Sequence, residues 1–452
     1  MRKLLLGLFL LPLIAVMAGQ RSADQAAEIA ARFCHQQPQV RQLPQASREV
    51  VSVRLVHQIK KTNKDEAAFY VFNQTDEKGF VIVSADDRTM DEVLAYSNEG
   101  SFDAEKINPA FAWWLSRFAD QISSIADDVA PYNAPAADSV EPIAPLLVNQ
   151  DGVEITWYQE KPYNNLCPID KLDNTRSLTG CVATATAMIM YKWRWPKTGV
   201  GRSSYTWQDC LKYNNYSGDC TKSVDTILTA NYAATTYDWN NMLPAYKGHP
   251  YTTAQAKAVA TLMYHAGVAS EMGYGGNKAG GSGTMTDNMA FGLAAYFDYK
   301  YDKYITMYGQ SDWDVHDNGP TDYNVDRKKF IEYFNADLEA GRPIIMGGES
   351  GSSGGHEFVC DGRDKDGKFH INWGWEGDGN CYTTLYTLQP SGETDKFKDG
   401  LDAIIGLRPN APYAVAQTEA ASEKRAHKVL QNGQVLIVRE NVQYNVLGQT
   451  IQ

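Results

Sequence analysis

Residues 179–193 read TGCVATATAMIMYKW. Gly180 stands near the front, Ala and Thr alternate after Cys181, and Met188, Ile189, Met190 and Trp193 give the run an apolar body. Pro196 follows soon after. This pattern predicts a buried helix that begins near Cys181 and ends before the proline. The small residues let that helix pack closely against a neighbour. A cysteine in the first turn feels the positive end of the helix dipole, which favours the thiolate. Gly180 leaves room for a second backbone to approach. Cys181 is therefore the candidate nucleophile, weighed against a core cysteine on a buried helix. Cys167 is the competing thiol. It sits beside Pro168 in a loop, has no helix start to lower its pKa, and reads as structural.

A nucleophilic thiol needs an imidazole within hydrogen-bond reach. Among the eight histidines, His356 follows the stretch GGESGSSGG (residues 347–355) and opens the strand-like run HEFVCDG. Catalytic groups tend to sit where strands meet flexible loops. A second run, FHINWGW, covers residues 369–375, with RDKDG between them as a turn. Folding the hairpin about Asp364 or Lys365 sets His356 nearly opposite Asn372 and on one face with it. Asn372 is thus placed to hold the imidazole in the useful tautomer, with Trp373 and Trp375 shielding the bond from water. His370 ranks second as base, because it lacks the glycine-rich approach. Gln159, in WYQEKPYN (157–164), could join the backbone N–H of Cys181 as an oxyanion donor.

Outward from these motifs the chain divides by composition. Arg2 and Lys3 precede an apolar run from Leu4 to Met17, closed by Ala18 and Gly19, the pattern of a signal peptide over residues 1–19. A stretch from Ala23 to Cys34 is amphipathic. AAFYVFN (67–73) and GFVIVS (79–84) read as a hairpin. Residues 108–127 carry Phe111, Trp114, Leu115, Phe118 and Ile122 at helical spacing. Together they predict an α+β unit over residues 20–142. Residues 130–145, APYNAPAADSVEPIAP, read as an exposed linker of the kind proteases nick. The large domain is expected over 143–409, helical first and strand-rich later. Residues 410–452 form an extension, linker-like to Lys428, with short strands at 434–440 and 442–446.

The formal net charge of −12 with no basic stripe argues against a nucleic-acid partner. No segment beyond the N-terminal run is apolar enough to span a membrane, so none is expected in the mature form. No cofactor or metal is expected. The DKDG at 364–367 lacks acids at the flanking calcium positions, Gly362 and Trp373. The glycine-rich 273–283 segment lacks the Gly-Lys-Ser/Thr ending of a phosphate loop. Of seven cysteines, Cys210 and Cys220 are close enough in sequence to bridge a loop.

Taken together, GCVATATA around Cys181, GGH ending at His356, NWGW from Asn372, YDWNNMLP at 237–244 and the Gln159 segment resemble the streptopain family of papain-like cysteine peptidases, in its interpain-like Bacteroidetes type. The resemblance implies an α+β fold. A papain-like catalytic domain, with a helical part and an antiparallel β-sheet part, follows an α+β inhibitory prodomain. It implies a secreted or surface-located endopeptidase, exported through the periplasm and made as a zymogen. Its partners would be protein or peptide substrates and its own prodomain. Cys181 matches the nucleophile, His356 the general base, Asn372 the orienting residue, Trp373 the shielding residue and Gln159 the oxyanion donor. Asn73 falls where the family's prodomain makes a contact near the catalytic histidine. The 273–283 segment resembles a mobile loop near the substrate cleft, and residues 410–452 resemble a type IX sorting segment. The rival expectations are a catalytically silent binding or adhesion protein and another Cys-His acyl-transfer enzyme.

Overall fold

The computed structural model describes residues 19–37, 52–126, 129, 140–172, 174–213, 220–307, 320–350, 354–386 and 400–410, with strand segments at 427–431, 434–439, 442–444 and 450–451. The expected signal peptide and most of the linker at 130–145 lie outside the described residues. The helices are α1 (Ala23–Gln36), α2 (Pro109–Ser123), α3 (Cys181–Trp193), α4 (Thr253–Ala269), α5 (Thr286–Tyr296) and α6 (Arg327–Glu339). The strands of three residues or more begin with β1 (Val53–Lys60), β2 (Ala67–Gln74), β3 (Phe80–Ser84), β4 (Val93–Ser97), β5 (Ser203–Tyr213) and β6 (Cys220–Ala230). They continue with β7 (Lys303–Met307), β8 (Thr321–Val325), β9 (Ile344–Ser350), β10 (Gly354–Arg363), β11 (Phe369–Asn372), β12 (Cys381–Thr383) and β13 (Leu401–Ile405). No described helix is long and apolar enough to cross a membrane.

Two compact units emerge. The first holds residues 1–144, 362–373 and 377–399, and the second holds 145–361, 374–376 and 400–452. The first unit runs to residue 144 and also takes in a later part of the chain. In it the strands run β1-β2-β3-β4-β12-β11, antiparallel. The joining step is β4 to β12, with Tyr96 opposite Tyr382 and Ala95 opposite Thr383. β2 is buried from Ala67 to Asn73, because α1 and α2 both pack on the strands around it. A strand covered on both faces reads as a continuous apolar run rather than an alternation. Ser22 and Gln25 form a capping box that starts α1. The Asn108 side chain caps α2, with a proline in its first turn.

In the second unit the strand order is β10-β9-β13-β7-β8. β10, β9, β13 and β7 are antiparallel neighbours, while β8 runs parallel to β7. The helix α3 is buried along nearly its whole length and packs against α4 and α5. Its ends follow from local chemistry. Gly180 adopts φ +85, and a Cβ there would lie 2.7 Å from the Met272 side chain. At the other end Arg194 turns left-handed at φ 50, two residues before Pro196. β5 and β6 form a hairpin bridged by the Cys210–Cys220 disulfide. The extension forms four short antiparallel strands, two more than its sequence suggested.

Candidate active site

Cys181 is the first residue of α3. Two contacts fix the turn before it. The Thr179 N–H donates to the Gln159 carbonyl at 3.1 Å, and the Thr184 hydroxyl donates to the Gly180 carbonyl at 2.9 Å. Gln159 is thereby tied to a point two residues ahead of the thiol. Its segment is anchored on α3 by Trp157, which stacks on Tyr191 with ring centroids 4.9 Å apart. The Trp157 indole also donates to the Leu243 carbonyl at 2.8 Å.

The backbone N–H groups of Glu357, Val182 and Cys181 itself lie near the Cys181 sulfur and favour its thiolate. Glu357 follows His356 directly, so α3 and β10 bring the two sequence motifs together. Within its own sheet His356 pairs with Gly348 of β9. The glycine-rich approach to His356 is described only in part, since residues 351–353 lie outside the described residues.

The electrostatics correct one expectation. The helix start predicts a thiol shifted toward the thiolate, yet Cys181 is pushed up to about 11. Burial is the largest cause, followed by the nearby Glu357 carboxylate; the three backbone N–H groups pull the other way and are outweighed. His356 is shifted down by burial. Both shifts favour the uncharged form of each group. Cys167 is fully buried and its thiol is pushed up to about 12 by burial, consistent with a structural role.

Asn372 and Trp373 belong to the first unit. Asn372 ends β11 with no exposed surface. The Trp373 indole donates to the Gly379 carbonyl at 2.8 Å, and its backbone N–H donates to the Asn380 side chain at 3.1 Å. Phe111 of α2 stacks on this indole at 5.4 Å, and Trp114 meets it edge-on at 5.8 Å. Trp114 also donates to the Thr383 hydroxyl at 3.1 Å. The turn before β11 closes through the Asp364 N–H on the Lys368 carbonyl, so it centres on Asp366. The hairpin centre at Asp364 or Lys365 is not observed, and the placing of Asn372 opposite His356 loses that support. His370 packs edge-on against Tyr382 in the same unit.

Asn73 lies at the end of β2. Its amide donates to the Phe102 carbonyl at 2.9 Å and accepts from the Phe102 N–H at 2.8 Å. It braces the ring cluster of Phe80, Phe102 and Phe111. The 273–283 loop is closed at its neck by reciprocal backbone bonds between Gly273 and Gly283, 2.9 and 3.0 Å.

Sequence reasoning passed over Glu357, Asp402 and Thr286. All three are buried around the strand that carries His356. The available signal was an acidic residue inside the otherwise apolar run HEFVCDG. Among the described residues no cluster of His, Cys, Asp and Glu is arranged to hold a metal ion.

Residues 157–383 match the peptidase C10 family, and residues 18–122 match the Spi protease inhibitor family. The chain is 31% identical over 354 residues to streptopain of Streptococcus pyogenes, covering 75% of this chain and 80% of that protein. The chain belongs to the peptidase C10 family. This C10 member is also 30% identical over 419 residues to the thiol protease/hemagglutinin PrtT of Porphyromonas gingivalis, covering 89% of this chain. It spans only 44% of the length of PrtT. Among solved structures it is similar to a prointerpain A fragment from Prevotella intermedia, a cysteine-to-alanine mutant. That match has 33% identity and a TM-score of 0.60, and covers 80% of this chain and all of that one. The C10 match contains Cys181, His356, Gln159, Asn372 and Trp373, and the inhibitor match contains Asn73, α1 and all of α2 but its last residue.

Proposed function

We propose that this C10 member is a cysteine endopeptidase made as a zymogen and exported to the cell surface or medium. The observation that carries the reading is the meeting of the α3 start with β10, which brings the Cys181 thiol near Glu357, the residue after His356. In the active form His356 takes the thiol proton and Cys181 attacks the peptide carbonyl. The Cys181 backbone N–H and the Gln159 side chain stabilise the oxyanion. The imidazolium then protonates the leaving amine, and water, deprotonated by His356, releases the acyl group from the sulfur. Asn372 orients the imidazole and Trp373 shields that bond.

Residues 20–142 act as the intramolecular inhibitor, with Asn73 in the segment that the resemblance assigns to the histidine contact. Cutting in the 130–145 linker releases them. The shifts of thiol and imidazole toward their uncharged forms in the full-length chain suit a resting precursor. The substrates are proteins or peptides, and residues 410–452 are a sorting extension. The test is casein cleavage by matured variants. His356→Ala should be inactive, Asn372→Ala impaired but measurable, and His370→Ala active. An active His356→Ala with a dead His370→Ala would reverse the choice of base.

A further inference from the structure

One cross-strand row in the second unit is unusual. Glu357 of β10 lies opposite Gly347 of β9, and Gly347 lies opposite Asp402 of β13. The middle position carries no side chain, so the two carboxyls reach toward each other across it. A Cβ on residue 347 would lie 2.2 Å from Glu357 Oε2 and 3.0 Å from Asp402 Oδ1. Glycine is thus what allows the carboxyls to approach. Thr286, the first residue of α5, sits between them. Its Oγ1 is 2.9 Å from Glu357 Oε2 and 3.2 Å from each Asp402 oxygen. The Tyr304 hydroxyl donates to Asp402 Oδ2 at 2.8 Å.

The second observation concerns Glu357 itself. It is 4% exposed, and its Oε1 has no hydrogen-bond partner in the structure. A buried carboxylate oxygen left unpaired is costly and calls for a donor. The same residue lies beside Cys181, and its carboxylate acts on the thiol. The unpaired oxygen therefore belongs to the residue beside the nucleophile.

Resting on the reading of Cys181 as nucleophile, we propose that Glu357 and Asp402 form the floor of a specificity subsite that takes a basic side chain, arginine or lysine, of the substrate. A guanidinium or ammonium supplies the donors that Glu357 Oε1 lacks and the charge that two facing carboxyls require. The groups near the pair are Cys181 on α3, Asp287 on α5 and Tyr304 on β7. Without a cation, burial and the Asp402 charge hold the Glu357 carboxyl well above its usual range. Binding a cation reverses that and releases a proton, so the preference for a basic residue strengthens as pH rises.

The test uses the full-length chain after its own maturation. Fluorogenic peptides carry arginine or norleucine at each of the three positions before the cut. At one position kcat/KM should favour arginine by at least about tenfold. Glu357→Gln and Asp402→Asn should each lower that ratio by at least about tenfold while still cutting the norleucine peptide. The wild-type ratio should climb from about pH 5 to about pH 8, and this decides the matter if a variant fails to fold. Norleucine preferred at all three positions, an arginine preference that survives both substitutions, or a ratio flat with pH would overturn the subsite. Peptides cut equally well by Cys181→Ala would instead overturn the nucleophile, and the subsite with it.

Discussion

Two buried acids, one in each unit, are shifted in opposite directions. Asp86 has no exposed side-chain surface. Burial pushes its carboxyl up, but Arg88 at 2.6 and 2.7 Å and Lys61 at 3.0 Å more than offset that, and it ends below the usual range. Glu357 is equally enclosed but faces Asp402 and a threonine, and it ends well above that range. Burial is common to both, so the sign of the neighbouring charge decides. Asp86 is complete within its unit and has a structural task. Glu357 is left with an unsatisfied oxygen beside the candidate nucleophile, which is the mark of a group awaiting a partner.

The largest expected effect tests whether the second region is the working one. Cys181→Ala and His356→Ala should each cost roughly 10⁶-fold in peptide turnover, as loss of one member of a catalytic unit does. Asp86→Asn, in the segment that maturation removes, should leave the turnover of the matured chain unchanged. A large loss there would break the contrast. Next comes stability. In a Cys181→Ala precursor, Asp86→Ala leaves Lys61 with Glu66 and Arg88 with the Ala126 carbonyl and should cost the first unit about 3 kcal/mol in thermal or urea unfolding. Because the folded pKa of Asp86 is lowered, its contribution is full above the unfolded value and is lost as pH falls through the folded one. Wild type should therefore loosen below about pH 4 and the Asp86→Ala chain should show less of that loss.

A smaller effect separates covalent from electrostatic support. Replacing Cys210 and Cys220 by serine opens a short loop and should cost at most about 3 kcal/mol. It should leave turnover unchanged, since the β5–β6 hairpin carries none of the catalytic residues. The smallest effect has the opposite sign. Glu357→Gln removes a carboxyl whose folded pKa is raised, a group that costs stability as pH rises above its unfolded value. The variant should match wild type in acid and gain up to about 2 kcal/mol near pH 8. Destabilisation at both pH values would remove the contrast between the two acids.

The sequence disclosed what continuous apolar runs and local chemistry can disclose. Helix α3 was legible from Thr179 to Trp193, the β2–β3 hairpin from its aromatic runs, and the Cys210–Cys220 bridge from spacing. β1, VRLVHQIK, escaped because it is half exposed and carries polar residues among its apolar ones. β4 escaped because its five residues are too few to show a period. The run FHINWGW reads as one strand, but pairing stops at Asn372. The Trp373 N–H turns to the Asn380 side chain, and Gly374 takes φ 71. At the site, the residue types of Cys181 and His356 were legible, while the direction of the thiol shift was not. The helix dipole is a local property, whereas the Glu357 carboxylate reaches Cys181 only through the packing of β10 on α3. The row Glu357–Gly347–Asp402 joins positions far apart in the chain and exists only once the strands are in register.

The central claim is that Cys181 and His356 rest in the full-length chain and work once residues 20–142 leave. The direct test is a time course of wild type and Cys181→Ala, followed by gel, terminal sequencing and peptide turnover. Wild type should shorten by about 12–14 kDa, at roughly 110 Da per residue, with a new terminus between residues 130 and 145, and should gain activity in step. Cys181→Ala should stay full length until matured enzyme is added. A full-length wild-type chain as active as the shortened form, or a Cys181→Ala chain that shortens unaided, would contradict the account.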